Sequence, residues 1–158
     1  MPAKTQERPK LAVHIRWMIR KDMPDVLAIE RQCFEIPWED EDFINALRRR
    51  NCIGMVAECD ERVVGFMVYE LHKGRLHVID FAVHERYRRQ GVGAAMIEKL
   101  TGKLSHDRRS RIILEVRETN LPMQLFLKSQ GFRAVSVLRN YYEDAPDDAY
   151  VFQFMHGK

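Results

Sequence analysis

The chain has 158 residues, 46% of them hydrophobic and 31% charged, which is enough for one domain with a substantial buried core. A net charge of +3 argues against a strongly basic nucleic-acid binder, no run approaches the roughly 18 apolar residues of a membrane span, and no apolar signal region opens the chain, so a cytoplasmic protein with no membrane contact is expected. Cys33, Cys52 and Cys59 lack Cys-x-x-Cys spacing and the six histidines lack ligand spacing, which predicts reduced thiols and no metal.

In chain order, residues 1–12 are polar and Pro-containing and read as a mobile tail, leaving 13–158 as a single domain. Residues 14–19 alternate as a strand. Residues 23–34 carry helical periodicity, with Asp22 as the expected N-cap and Pro24 in the first turn. Glu35-Ile36-Pro37-Trp38 interrupts that pattern before a second helix over 40–50. Strands over 53–59 and 62–71 join at Asp60-Glu61 as a hairpin, and Lys73-Gly74 turns the chain into a strand over 76–83. After Arg88-Arg89-Gln90-Gly91-Val92-Gly93-Ala94 come a helix over 94–104, a strand over 112–116, a helix over 121–129, and strands over 132–138 and 149–155. Antiparallel strands followed by a strand-helix-strand unit predict an α/β (α+β) domain, a mixed sheet with helices on its faces.

A strand that breaks into a glycine-bearing turn and starts a helix leaves backbone N–H groups converging on one spot, with the positive helix end behind them. Such a spot suits phosphate, although a solvated strand-to-helix turn has the same local pattern. No Gly-Lys-Ser/Thr follows, which excludes the long P-loop, and the third glycine of the dinucleotide fingerprint is missing.

Arg-x-x-Gly-x-Gly after Phe81-Ala82-Val83 is followed by Leu114-Glu115-Val116-Arg117 with Asn120, by Ser129-Gln130-Gly131-Phe132, and by Arg139-Asn140-Tyr141-Tyr142. Over about residues 14 to 156 this combination resembles the GNAT acetyltransferase superfamily, and within it the ribosomal-protein-alanine and related protein N-terminal acetyltransferases. The resemblance implies the GNAT fold, mostly antiparallel, with a central parallel pair over 76–83 and 112–117 splayed at its C-terminal ends. It implies acetyl-CoA as co-substrate. Backbone N–H groups of the segment Arg88, Arg89, Gln90, Gly91, Val92, Gly93 and Ala94 would meet the pyrophosphate, and Phe81 and Val83 would offer strand backbone to the pantetheine and acetyl groups. Asn120 matches a cofactor-contacting position, but Asn at a helix start also reads as an N-cap.

Amide formation from a thioester needs a deprotonated amine, oxyanion stabilisation and a proton for the leaving thiolate. Glu115 is the single carboxylate in an apolar strand that looks covered on both faces, so it either works or pairs with Arg117, two positions along. The resemblance implies a general base there. An α-amine with a pKa near 8 is roughly a tenth neutral at pH 7, whereas a lysine amine is neutral at well under about 0.1%, so a modest carboxylate suits a protein N-terminus. The family's tyrosine, twelve residues after the glutamate, is Leu127 here. Tyr141 or Tyr142, a water, or unassisted thiolate departure would have to replace it.

The resemblance further implies a peptide cleft walled by Phe34, Glu35, Pro37 and Trp38 on one side and Tyr141 and Tyr142 on the other. Acidic runs over 35–42 and 143–148 fall on these segments, while the basic runs lie on or near the cofactor side, a polarity that favours a basic acceptor such as a ribosomal protein. Three other readings stay open: acetylation of a small amine or a lysine, a weakly active acetyl-CoA-binding regulatory module, and RNA binding through Arg108-Arg109-Ser110-Arg111. No RNA-reading motif accompanies the last.

Overall fold

A computed structural model describes residues 9–157, so residues 1–8 of the expected tail lie outside the described residues. Seven strands form one mixed sheet: β1 (His14–Trp17), β2 (Cys52–Cys59), β3 (Arg62–Leu71), β4 (Arg75–Val83), β5 (Arg111–Arg117), β6 (Arg133–Leu138) and β7 (Ala149–Met155), in the order β1-β2-β3-β4-β5-β7-β6. The helices are α1 (Met23–Cys33), α2 (Asp40–Leu47), α3 (Val92–Thr101) and α4 (Leu121–Ser129). Every expected element is present, with ends shifted by three residues or fewer.

Strand alternation builds a core on each face. Val56, Phe66, Val68 and Ala82 pack against Val26 and Ile29 of α1 and Phe43 and Ala46 of α2. Their neighbours Met55, Ala57, Met67, Tyr69 and Phe81 face the other way, onto Val92, Met96, Ile97 and Leu100 of α3 and Leu127 of α4. β2 and β3 therefore bury both faces.

β5 differs from the expectation of an apolar strand covered on both sides. Ile112, Leu114 and Val116 are buried, whereas Ile113, Glu115 and Arg117 are half-buried on the opposite face. β4 and β5 are the parallel pair, and their ladder ends early, with Arg75 opposite Arg111, Leu76 opposite Ile112 and His77 opposite Ile113. Past His77 the strands part, and the wedge expected between them opens there.

Asp22 does not cap α1. Its backbone is already helical and its carboxylate accepts from the Ile19 N–H at 2.8 Å and from both terminal nitrogens of Arg16 at 2.8 and 2.9 Å. Arg16 in turn reaches Glu58 across the β1–β2 ladder at 2.8 Å, so one guanidinium ties α1's entrance to the sheet edge. At the end of the expected tail, the Leu11 N–H donates to the Gln90 carbonyl at 2.8 Å and the side chain packs on the core.

Burial pushes the Asp22 carboxyl up, but the Arg16 and Ile19 hydrogen bonds outweigh it and hold the group below the usual carboxylate range. A group whose folded pKa is depressed stabilises the fold above its unfolded pKa and loses that contribution as pH falls. Asp22→Ala should therefore lower stability by about 2 kcal/mol at pH 7. Denaturant midpoints at pH 7 and pH 3 check this, and the gap between wild type and variant should narrow at the lower pH.

Candidate active site

The site starts from the β3–β4 hairpin, closed by the His72 N–H donating to the Arg75 carbonyl at 3.0 Å. Its register sets Glu70 opposite His77. Farther along, Val68 pairs with Asp80 and Tyr69 with Val78, so Ile79 is an unpaired extra residue and β4 carries a bulge where it leaves β5. The β3–β4 ladder is thus interrupted beside the wedge and resumes from Asp80 to Val83.

Glu115 and His77 share one face of the sheet at that point. Nε2 of His77 lies 2.7 Å from a Glu115 oxygen, and Nδ1 lies 3.4 Å from Oε1 of Glu70. Glu70 also accepts from Arg49 at 2.7 Å and sits 3.0 Å from Nε2 of His72. The Glu115 hydrogen bond raises the His77 pKa above the ordinary histidine value against the opposing effect of burial, and Glu70 adds to the rise. For Glu70, burial pushes upward, but the His72 hydrogen bond together with Arg49 and His77 brings the carboxyl net below its usual range. Glu115 is therefore not paired with Arg117; that arginine binds Asp144 and, at 3.3 Å, Asp147.

Sequence reading missed His77 and Glu70. Both belong to Glu-x-His-Lys-Gly-x-x-His, and a polar residue at each of positions 70, 72 and 77 around a Lys73-Gly74 turn was the available signal. Only the strand register makes them neighbours.

In the loop, Gly91 has φ +83° and Arg89 φ +63°, a left-handed pair that turns the chain into α3. Ala95 donates the first helical bond, to the Gly91 carbonyl at 3.0 Å, so the N–H groups of Val92, Gly93 and Ala94 precede any helical acceptor. Side chains of Arg88 and Gln90 serve the loop itself. Arg88 donates to the Val83 carbonyl at 3.1 Å and to the Cys33 sulfur at 3.0 Å, and Gln90 donates to the Arg86 carbonyl at 3.0 Å. Of the strand backbone expected to meet the cofactor, the Val83 carbonyl accepts from Arg88, and Phe81 lies on β4 past the end of the β4–β5 ladder.

Gly93 has a packing reason as well. A Cβ there would lie 3.1 Å from the Phe126 ring, which stacks edge-on against Phe81. Leu127, at the family's tyrosine position, is fully buried in the α3/α4 core. Asn120 caps α4, its side-chain oxygen accepting from the Met123 N–H at 3.3 Å.

Tyr141 and Tyr142 pack edge to face at 5.1 Å, with the Arg117 guanidinium 3.8 Å above the Tyr142 ring. Burial pushes Tyr142 up to about 12 against the pull of Arg117, and raises Tyr141 too, with the Glu115 charge adding to both. Both phenols stay protonated through neutral pH. On the 34–38 segment the Trp38 N–H donates to Glu30 at 2.8 Å and its ring packs on Phe43, while Phe34 is half-buried against the same core. Glu35 is exposed, Pro37 is half-buried, and Ile36, 63% exposed, is the apolar side chain presented outward.

The acidic run beside the tyrosines is not a free field. Asp144 and Asp147 bind Arg117, and Asp148 binds Arg139 at 3.0 Å. Beneath the Trp38 segment, Glu30 and Asp80 are buried together, and Oε1 of Glu30 and Oδ2 of Asp80 find no hydrogen-bond donor among the described residues. One proton shared by the two carboxyls gives each a partner. Burial, and then the neighbouring Glu30, raise Asp80 to about 10, and burial raises Glu30 as well.

Residues 23–132 match the Acetyltransferase (GNAT) family. An N-alpha-acetyltransferase of Sulfurisphaera tokodaii is 30% identical over 143 residues, spanning 82% of this chain and 85% of that protein. The ribosomal protein bS18-alanine N-acetyltransferase of Escherichia coli is 26% identical over 132 residues, spanning 82% of this chain and 88% of the relative. The crystal structure of Ard1 from Thermoplasma volcanium superposes with a TM-score of 0.84 at 28% identity, covering 94% of this chain and 100% of that one. The chain belongs to the GNAT acetyltransferase family and is an acyltransferase.

Proposed function

We propose that this acetyltransferase moves the acetyl group of acetyl-CoA onto the N-terminal α-amine of a protein, with a ribosomal protein as the acceptor class. The observation that carries the reading is the 2.7 Å contact between His77 and Glu115 where β4 and β5 part. Relatives that act on protein α-amines support it. The charge argument for a basic acceptor now rests on Glu143 and on the 35–42 segment, where Glu35, Asp40 and Glu41 are exposed.

The backbone N–H groups from Gly91 to Ala94 would hold the pyrophosphate at the N-terminus of α3. Glu115 removes a proton from the ammonium, directly or through a water. His77 donates Nε2–H to that carboxylate and lies against Glu70 through its other ring nitrogen, which orients Glu115 before the transfer. The neutral amine then bonds to the thioester carbonyl carbon, its nitrogen gives up a second proton to water, the C–S bond breaks, and the thiolate takes a proton. Tyr141 and Tyr142, both near the Glu115 charge, are the phenols available to supply it.

Short peptides with free or blocked N-termini, incubated with acetyl-CoA and read by mass spectrometry, test the acceptor. Acetylation of the free α-amine with lysines untouched is expected, and lysine-only products would overturn the reading. Glu115→Gln should reduce kcat by about 100-fold or more while acetyl-CoA still raises the Tm. Rising pH should restore part of the rate, because more amine is then neutral without help. Gly91→Val should abolish the acetyl-CoA-dependent Tm shift, since a β-branched residue cannot take the left-handed backbone of the loop without strain. If Tyr141 or Tyr142 donates the proton, its Phe variant should lose a comparable factor in kcat with acceptor KM unchanged.

A further inference from the structure

The hairpin that carries the proposed base also assembles metal-ligand atoms. A carboxylate oxygen of Glu70 and ring nitrogens of His72 and His77 all lie within 4.8 Å of one another. Oε1 of Glu70 is 3.0 Å from Nε2 of His72 and 3.4 Å from Nδ1 of His77. Around a tetrahedral zinc ion, with ligands at about 2.0–2.2 Å, neighbouring donor atoms stand about 3.3–3.5 Å apart, so only small side-chain shifts separate this set from a ligand shell. The backbone is fixed by register: Glu70 faces His77 across the ladder, and His72 closes the turn between them.

The surroundings suit a cation as well. Ligating imidazoles usually donate their second ring N–H to a carboxylate, and Nε2 of His77 already lies 2.7 Å from Glu115. Arg49 occupies the other oxygen of Glu70, leaving Oε1 as a single-point ligand, and Arg109 donates to the His72 carbonyl at 2.8 Å. The His72 side chain is 34% exposed, which opens an approach from solvent. Two imidazoles and one carboxylate select a borderline ion such as zinc over magnesium or calcium, which take oxygen ligands.

We propose that Glu70, His72 and His77 form a Zn²⁺ site that inhibits the transferase, with water in the fourth position. The inhibitory part rests on the Glu115 mechanism proposed above. Zinc on Nδ1 of His77 fixes the ring with its Nε2 on Glu115. The carboxylate is then held as the outer partner of the ion and cannot turn to the ammonium. The ion is a regulator here and takes no part in acetyl transfer.

The test uses the whole chain, with ZnCl2 in calorimetry, CoCl2 in absorption spectroscopy, and the variant His72→Ala, which leaves Glu115 and His77 in place. Wild type should bind one equivalent with the visible bands of tetrahedral Co²⁺ and no thiolate charge-transfer band. Loss of a carboxylate behind a ligand costs about 10–100-fold in affinity, so loss of the ligand itself in His72→Ala should weaken binding at least tenfold. Saturating zinc should cut wild-type turnover at least about tenfold, reversibly with EDTA, while His72→Ala keeps its zinc-free rate and needs correspondingly more zinc for inhibition. Equal zinc affinity in wild type and variant, or a cobalt spectrum dominated by thiolate ligation, would overturn the site. Binding that depends on His72 but leaves turnover unchanged would overturn the inhibitory role. Because calorimetry and the cobalt spectrum need no acceptor, failure of the acetylation assay and failure of the metal site are separately visible.

Discussion

The early end of the β4–β5 ladder is the constraint on which the rest of this molecule depends. Parallel strands normally continue their hydrogen bonds to the sheet's end, but here the ladder stops at His77 and Ile113. Both strands must then be held from their outer sides. β3 supports β4 through Val83, and β7 supports β5 along its whole length, from Arg111 opposite Met155 to Arg117 opposite Ala149. The wedge is thus an opening in the middle of a sheet whose outer strands stay paired to both sides of it, with one bulge at Ile79. Groups placed at its apex, His77 and Glu115 among them, are positioned by regular backbone on both sides.

Elements and loop were legible in the sequence because they are local. Gly91 marks a turn whose left-handed backbone suits glycine, and the near-continuous apolar runs of β2 and β3 report burial on both faces. The functional cluster was only half legible. Glu115 stands out as a carboxylate among apolar neighbours, but His77 and Glu70 become its partners through strand register, which a linear pattern does not encode. Asp22 shows the reverse failure. Its helix-start position fits a cap, yet Arg16 lies close enough to claim the carboxylate, and a charge-assisted pair outcompetes a neutral N–H. The two-sided burial expected for β5 failed because apolar content alone does not reveal that one face of Ile113-Leu114-Glu115 looks into the opening.

Charge runs were the least reliable guide. The acidic stretch over 143–148 suggested a surface that attracts a basic substrate, but three of its carboxylates are spent on Arg117 and Arg139 and pin the long loop between β6 and β7. Through Arg117 the same pairs reach the Tyr142 ring. What reads as a field in one dimension is a brace for the tyrosine pair in three, and its strength will fall with ionic strength.

The buried Glu30–Asp80 pair means that the folded protein carries a proton that a formal count of its charges omits. The net charge of +3 assumes both carboxyls ionised, so the native molecule is one charge more positive at neutral pH. Unfolded, both groups lose that proton above about pH 4, whereas the native pair keeps it until about pH 10. Folding across this interval takes up a proton from solvent. The proton uptake of this pair makes stability decline as pH climbs through the window, so alkaline conditions that favour a neutral amine also loosen the link between α1, β4 and the Trp38 segment.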